Sequence, residues 1–472
     1  MKGWRKTYYL GMLVAIMLSL IGELVWLPDP VRFGNGIYWI DDLDYFVYII
    51  ALVPLIWIVG ALLNIYSARR YHVQRHREGI QPGFSHQARW VLWRSGAVCI
   101  AGALAVIAIV TVPKHLPYSV GSLGIVWLLV FVDLFFSERV WRKFPIQSVS
   151  VFLFMLGILS FLFWPTSNLV TYPGVTMNMN RYAAVNGGSM HGEISGVLVF
   201  ERPAFPVDWV YTQLFPHYTF EPIEKLGVSL GEYNQQSQSM KSDANAAGSA
   251  IAFQMLGKGQ GITADGVLIT AIVPSSPVQG ILQVGDVIKK INSQSVSKVQ
   301  ELTAYMSSVK PGASVDVYVH RGAQRLTLKV GTHSSADDPT RAVFGVQVSD
   351  DLQYDIPDKV IYHDYFLHEG GPSHGAMLAL TLIDQRTPNG VTYGNRVAGT
   401  GTIGQDGLVG PVGAVEQKAY TVERAGADVF FVPIENEQEA RNGAKKLQIV
   451  PVRTIDDILN WLRDHPKPEI NS

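Results

Sequence analysis

Cysteine is almost missing from this chain: Cys99 is the single one in 472 residues, and it lies inside an apolar run. Internal disulfides and cysteine-ligated metal sites are therefore excluded. Charge is scarce as well. Only 16% of residues are charged and the net charge is −1, so nothing argues for nucleic acid. H-E-x-x-H occurs nowhere, and His368-Glu369 starts no zinc site because two glycines and a proline precede the next histidine, His374. No G-x-x-x-x-G-K-S/T is present either, so no ATP is expected at a P-loop. Neither a metal nor a cofactor is expected.

Apolar residues are abundant. The mean hydropathy of +0.17 is high for a soluble enzyme, and the excess sits in the first 165 residues. Five segments have the length to span a bilayer: Thr7 to Leu27, Tyr45 to Tyr66, Ser95 to Val112, Ser119 to Phe136 and Pro145 to Trp164. The first is too long, and too soon followed by others, to be a cleaved signal peptide. Lys2, Arg5 and Lys6 precede the first segment, Arg69 to Arg89 separate the second from the third, and Arg139, Arg142 and Lys143 separate the fourth from the fifth. The first intervening loop is acidic, with Asp29, Asp41, Asp42 and Asp44. The positive-inside rule then places the N-terminus in the cytoplasm and everything after Trp164 outside. Glu23 and Asp133 lie near segment ends and are expected at the interface. His72, His76 and His86 sit among arginines and are expected in a solvated basic loop.

Pro165 to Gly174 leaves the membrane. From Val175 to Phe220 short strands alternate with prolines, and Gly231 to Leu256 is plausible helix, so 165–256 is expected to connect the anchor to the remaining domains. Within 257–332, strands at Val267 to Val273, Val287 to Ile291, Ser314 to His320 and Gln324 to Val330 flank a helix from Val299 to Val309. The Ser276-Pro277 and Gly285-Asp286-Val287-Ile288 elements resemble bacterial, HtrA-like PDZ domains. That resemblance implies a groove between Val267 to Val273 and the helix, where an extended peptide adds as a strand.

The last segment, 341–465, starts with strands at Ala342 to Val348 and Lys359 to Tyr365. Ser373 then follows a Gly-Gly-Pro turn and precedes an apolar run, His374 to Ile383, of helical length. A helix N-terminus favours negative charge, which suits an oxyanion. Ser373's own N–H is a donor for it, whereas Pro372 has none. Val415, Lys418, Ala419, Val422 and Ala425 recur at helical spacing, and Gly426 can end the helix. Lys418 thus falls on the apolar stripe. It is either a desolvated amine of lowered pKa, able to act as a base for Ser373, or a lysine snorkelling from the stripe's edge. Thr400 and Thr402 are candidates to orient it. Asn436 with Glu439, and Thr454 with Asp457, read as capping boxes of two closing helices.

The Gly-Pro-Ser turn, the Gly407-Leu-Val-Gly410 hairpin and Gln417-Lys418, in that order, resemble the proteolytic domain of Lon proteases. More closely, the chain resembles the membrane-anchored PDZ and Lon-like serine proteases of Gram-positive bacteria, over about residues 145 to 465. A multi-domain chain is expected: the α-helical membrane region (1–164) read from its apolar segments, a connector, and, as the resemblance implies, a β-rich PDZ domain and an α+β Lon-type proteolytic domain. It implies Ser373 as nucleophile and Lys418 as general base of an ATP-independent, extracytoplasmic endopeptidase. His374 stands where the family has a small residue. The expected partners are peptide or protein substrates and the membrane, with a homo-oligomer left open. The rival reading is a catalytically silent PDZ adaptor at the cell surface. Gly371-Pro-Ser373-His-Gly375 also matches G-x-S-x-G, with Asp428 and His465 in chain order for a triad. Too little chain remains for that fold.

Overall fold

The computed structural model describes residues 3–467, apart from 24–26, 28–31, 34–36, 39–42, 78–85, 364–369 and positions 114, 141, 275 and 336. Lys2, Asp29, Asp41, Asp42, His368 and Glu369 lie outside the described residues, as does the end of the strand expected at Lys359 to Tyr365.

Five helices are long and apolar enough to cross a membrane: Gly3–Glu23, Phe46–Gln74, Ala88–Thr111, Pro117–Arg139 and Ile146–Phe163. They pack about a polar knot. Tyr8, Asn64 and Ser95 donate to Asp133 Oδ2 at 3.0, 3.1 and 2.7 Å, and Arg94 Nε pairs with Oδ1 at 3.1 Å. Asp133 is fully buried, not interfacial, because neighbouring helices supply donors where lipid supplies none. Glu23 is also covered, with Tyr211 of the following domain donating to its Oε2 at 3.1 Å. His72 lies on the helix Leu52–Arg77 and is buried, so the loop expected there begins later.

Beyond the membrane, two sheets share the chain. The first contains β1 (Asn168–Asn178), β2 (Glu193–Pro203) and β3 (Thr219–Pro222). The second contains β4 (Ile262–Ile272), β5 (Val287–Ile291), β6 (Ser314–Arg321), β7 (Gln324–Gly331) and β8 (Val346–Tyr354). The chain then returns to the first sheet with β9 (Arg396–Gly399), β10 (Val429–Pro433) and β11 (Gln448–Val452). The first sheet has the order β11-β10-β9-β2-β1-β3. Its β11, β10, β9 and β2 are parallel, while β1 runs antiparallel to β2 and β3. Residues expected as a connector therefore build half of the first sheet, and the second sheet is inserted between its two halves. Val429 to Val432 are fully buried, as a strand covered on both faces requires.

The second sheet runs β7-β6-β5-β4-β8. The Gly285-Asp286 turn is held by Arg321, whose Nε and Nη2 reach the Asp286 carboxylate at 2.7 and 2.8 Å. β8, expected to open the catalytic segment, instead pairs with β4 from Val346↔Ile272 to Tyr354↔Ile262. β4 is thus paired on both sides, and the groove cannot lie on its edge. The edge on this side of the sheet belongs to β8, whose Asp350 Oδ1 accepts the Val299 N–H at 2.6 Å and caps the helix Val299–Met306. A strand joining its sheet across about 70 intervening residues leaves no local signature.

The helix Leu230–Met255 starts in a full capping box, Ser229 with Glu232. It packs on the helix Gly375–Arg386 at Gly248, where an added Cβ would lie 2.9 Å from the Gly375 carbonyl and 3.1 Å from Leu378. Gly248→Val is expected to destabilise the chain by about 1–3 kcal/mol through overpacking. Denaturant unfolding in detergent checks this, and an unchanged midpoint would show that the two helices do not meet so closely.

Candidate active site

Ser373 precedes His374, the N-cap residue of the twelve-residue helix Gly375–Arg386. Its turn depends on Gly371, at φ +83°, a left-handed conformation that a side chain would strain. The Gly371 N–H donates to the Ser237 carbonyl at 2.9 Å, tying the turn to the helix Leu230–Met255. The Ser373 carbonyl accepts from the Gly401 N–H at 2.9 Å and from Thr400 Oγ1 at 3.1 Å. Its N–H has no backbone acceptor among the described residues. It lies at the positive end of the helix, where such a donor stabilises developing negative charge.

Lys418 stands on the helix Val415–Ala425, ended by Gly426 at φ +75°. Val415, Ala419 and Val422 of this helix are buried with Val197, Ala398 and Phe430. Lys418 is itself only 3% exposed, so it does not snorkel. Burial pushes its pKa down to about 8, against the opposing charge of Glu439. Its Nζ donates to Thr400 Oγ1 at 3.2 Å. Thr400 therefore bridges the lysine amine and the serine backbone. Thr402 lies a strand step further along and lines the same cleft.

Asn436 and Glu439 play a part that their sequence pattern hid. Asn436 accepts from the Val412 N–H and donates to the Val412 carbonyl, both at 3.0 Å. Glu439 Oε1 accepts the Val415 N–H at 2.8 Å. The pair thus caps the lysine helix, which has left-handed Ala414 at its N-cap and no cap of its own. Thr454 and Asp457 do form the expected capping box.

His374, the larger residue beside the serine, is buried too. Its Nε2 meets Asn245 Oδ1 at 2.8 Å and its ring stands edge-on to Tyr182. Asn245 Oδ1 also accepts from the Tyr182 hydroxyl at 2.9 Å. These contacts, from elements far upstream, pin the serine turn. A polar stripe on the helix Leu230–Met255, comprising Asn234, Ser237, Lys241 and Asn245, was the available signal for them.

Ser373 and Lys418 line one cleft of about 1050 Å³, together with Thr402, Ala414 and the whole run Val197 to Pro203. Asp428 and His465 do not join Ser373. Asp428 is held by Arg396 and Lys467, while His465 stacks on Trp461.

Burial, with the Lys241 and Lys418 charges, lowers the His374 pKa from 6.5 to about 4. The unfolded chain takes that proton first as pH falls, so the stability His374 contributes above pH 6.5 is lost towards pH 4. Unfolding free energies over this range should fall, by up to about 3 kcal/mol. The fall should be shallower in His374→Gln, and equal pH dependence in both proteins would refute the assignment.

Comparison with known proteins gives two family matches. A PDZ domain matches residues 226–332, and the C-terminal proteolytic domain of Lon protease (S16) matches residues 358–463. Lon protease 1 of Myxococcus xanthus is 31% identical over 125 residues, 24% of this chain and 15% of that protein. Lon protease 2 of Bacillus subtilis is 30% identical over 99 residues, 21% of this chain and 18% of that protein. The chain thus spans less than a fifth of the length of these relatives. Among solved structures, the PDZ domain of an SdrC-like protein from Listeria innocua is 26% identical, covering 18% of this chain and 93% of that one, with a TM-score of 0.17. Five apolar helices, a PDZ domain and a Lon-type proteolytic domain in one chain fit a membrane-anchored member of the PDZ and Lon-like proteases.

Proposed function

We propose that this protein is an ATP-independent serine endopeptidase acting outside the cytoplasm through a Ser373–Lys418 dyad. The observation that carries this reading is Lys418: a buried amine with no ion pair among the described residues, lining the cleft that also holds a serine at a helix N-terminus. Burial disfavours the ammonium. An amine with a pKa of about 8 is unprotonated in roughly a tenth of molecules at neutral pH, far more than a solvated lysine.

The neutral Lys418 amine takes the Ser373 hydroxyl proton as Oγ attacks the scissile carbonyl carbon, and the resulting oxyanion is met by the Ser373 N–H. The Lys418 ammonium then protonates the leaving amine, which departs and leaves the acyl-enzyme. Water, deprotonated by Lys418, releases the second product and restores the serine. Thr400 holds the amine and the serine backbone in register. Beyond Ser195, β2 has no strand on the β9 side among the described residues, and this bare edge runs along the cleft. An extended substrate fits there by strand addition.

Because this sequence carries no P-loop motif, the substrates of this reading are unstructured: secreted peptides or the tails of membrane proteins. The PDZ domain selects them at the terminal edge of β8. The pattern of basic loops supports a position for both domains on the outer face of the membrane.

Ser373→Ala and Lys418→Ala are each expected to abolish cleavage while leaving the unfolding midpoint near that of the parent; full activity in Lys418→Ala would sink the dyad. The rate constant kcat/KM should rise with pH through a midpoint of about 8. Glu439→Gln, which removes the charge that opposes burial, should move that midpoint to lower pH, as a pH–rate profile in detergent would show.

A further inference from the structure

The cleft is chemically uneven from one end to the other. Near Lys418 its wall is apolar, with Val197 packed among the residues of the lysine helix. Along β2 the register then sorts the side chains by face. Thr171 of β1 lies opposite Glu201 of β2 and opposite Thr219 of β3, and Glu221 lies two residues beyond Thr219. Alternation puts Thr171, Glu201, Thr219 and Glu221 on one face of the sheet, and all of them line the cleft. Val170, Tyr172, Phe200 and Arg202 occupy the other face, where Arg202 is committed to Asp208 through two bonds of 2.7 and 2.8 Å.

The remaining charges of the cleft are accounted for. Glu439 caps the lysine helix, and Arg202 is held by Asp208. Lys418 is buried behind Thr400. Glu201 and Glu221 have no basic partner among the described residues. Both carboxylates are exposed to the cleft, and only the Tyr233 hydroxyl reaches Glu201. Glu201 on β2 and Glu221 on β3 flank β1 and are offset by two residues, so this sheet face carries two acids with no basic group beside either among the described residues.

We infer that the outer end of the cleft is a subsite for a cationic side chain of the substrate, a lysine or arginine, and that Glu201 and Glu221 determine this specificity. The inference deepens the peptidase reading and rests on it. Four residues of β2 separate Val197 from Glu201, about 13 Å at strand rise, so the cationic residue stands roughly three or four positions from the scissile bond of an extended peptide. Arginine suits the site especially, because its planar fork can engage a carboxylate with two parallel bonds.

The test uses the full chain in detergent and internally quenched decapeptides, amidated at the C-terminus so that the PDZ domain is offered no free carboxylate. A single lysine is walked through a neutral background, with glutamate at the same positions as the control. At one position, away from the scissile bond, lysine should raise kcat/KM about fivefold over glutamate. The preference should shrink in high salt, vanish in Glu201→Gln/Glu221→Gln and reverse in Glu201→Lys/Glu221→Lys. Cleavage with no charge preference, or a preference that survives in the glutamine variant, would overturn the inference while leaving the peptidase reading intact. Anisotropy with the same peptides, fluorescently labelled, and the Ser373→Ala chain separates the two readings. A lysine preference in binding that the glutamine variant removes would uphold the subsite even if the parent chain cleaved nothing. Equal binding of the lysine and glutamate peptides would overturn it.

Discussion

The structure depends on keeping one lysine amine dry. Lys418 is 3% exposed, and an amine so placed would be costly to bury as a cation without a carboxylate partner. The protein supplies no direct ion pair among the described residues. It offers a threonine hydroxyl at 3.2 Å and leaves Glu439 near enough to oppose the shift without abolishing it. The apolar packing of Val415, Ala419 and Val422 against Val197 and Phe430 is what lowers the pKa of the amine, because it withholds water from the ammonium.

That packing explains why the chain is interleaved. The strands that cover the lysine helix come from both sides of the inserted PDZ domain, β1 and β2 before it and β9 and β10 after it. The helix that braces the serine turn, Leu230–Met255, also comes from before it. The PDZ domain is thus inserted in the chain between the two halves of the first sheet.

The first spanning helix and the last both meet the catalytic half. Glu23 accepts from Tyr211, and Phe163 stacks edge-on to Phe205. These contacts lie beside Arg202 and Asp208, on the face of β2 turned away from the cleft. The membrane bundle, fixed internally by the buried Asp133 network, is thus fastened to the back of the strand whose front lines the substrate cleft.

Much of this was legible in the residues. Five apolar runs became five helices, because length and hydropathy alone decide what can span a bilayer. The stripe Val415-Lys418-Val422 pointed to the buried lysine, because a 3.6-residue period sets which side chains share a face. The Gly-Gly-Pro-Ser turn and Gly426 were readable from the conformations that only certain residues adopt easily. Other features belonged to the tertiary structure. Residues 165–256 looked like a connector, since nothing local tells β2 that it will pair with β9 some 200 residues later. β8 joined the PDZ sheet for the same reason. Asn436 and Glu439 carried a capping pattern yet served a different helix, because a cap follows whichever orphan N–H groups come within reach. Local residue chemistry was enough to set which segments are apolar, which turns are possible and which lysine is buried. Long-range pairing alone decided what surrounds that lysine, and therefore its chemistry.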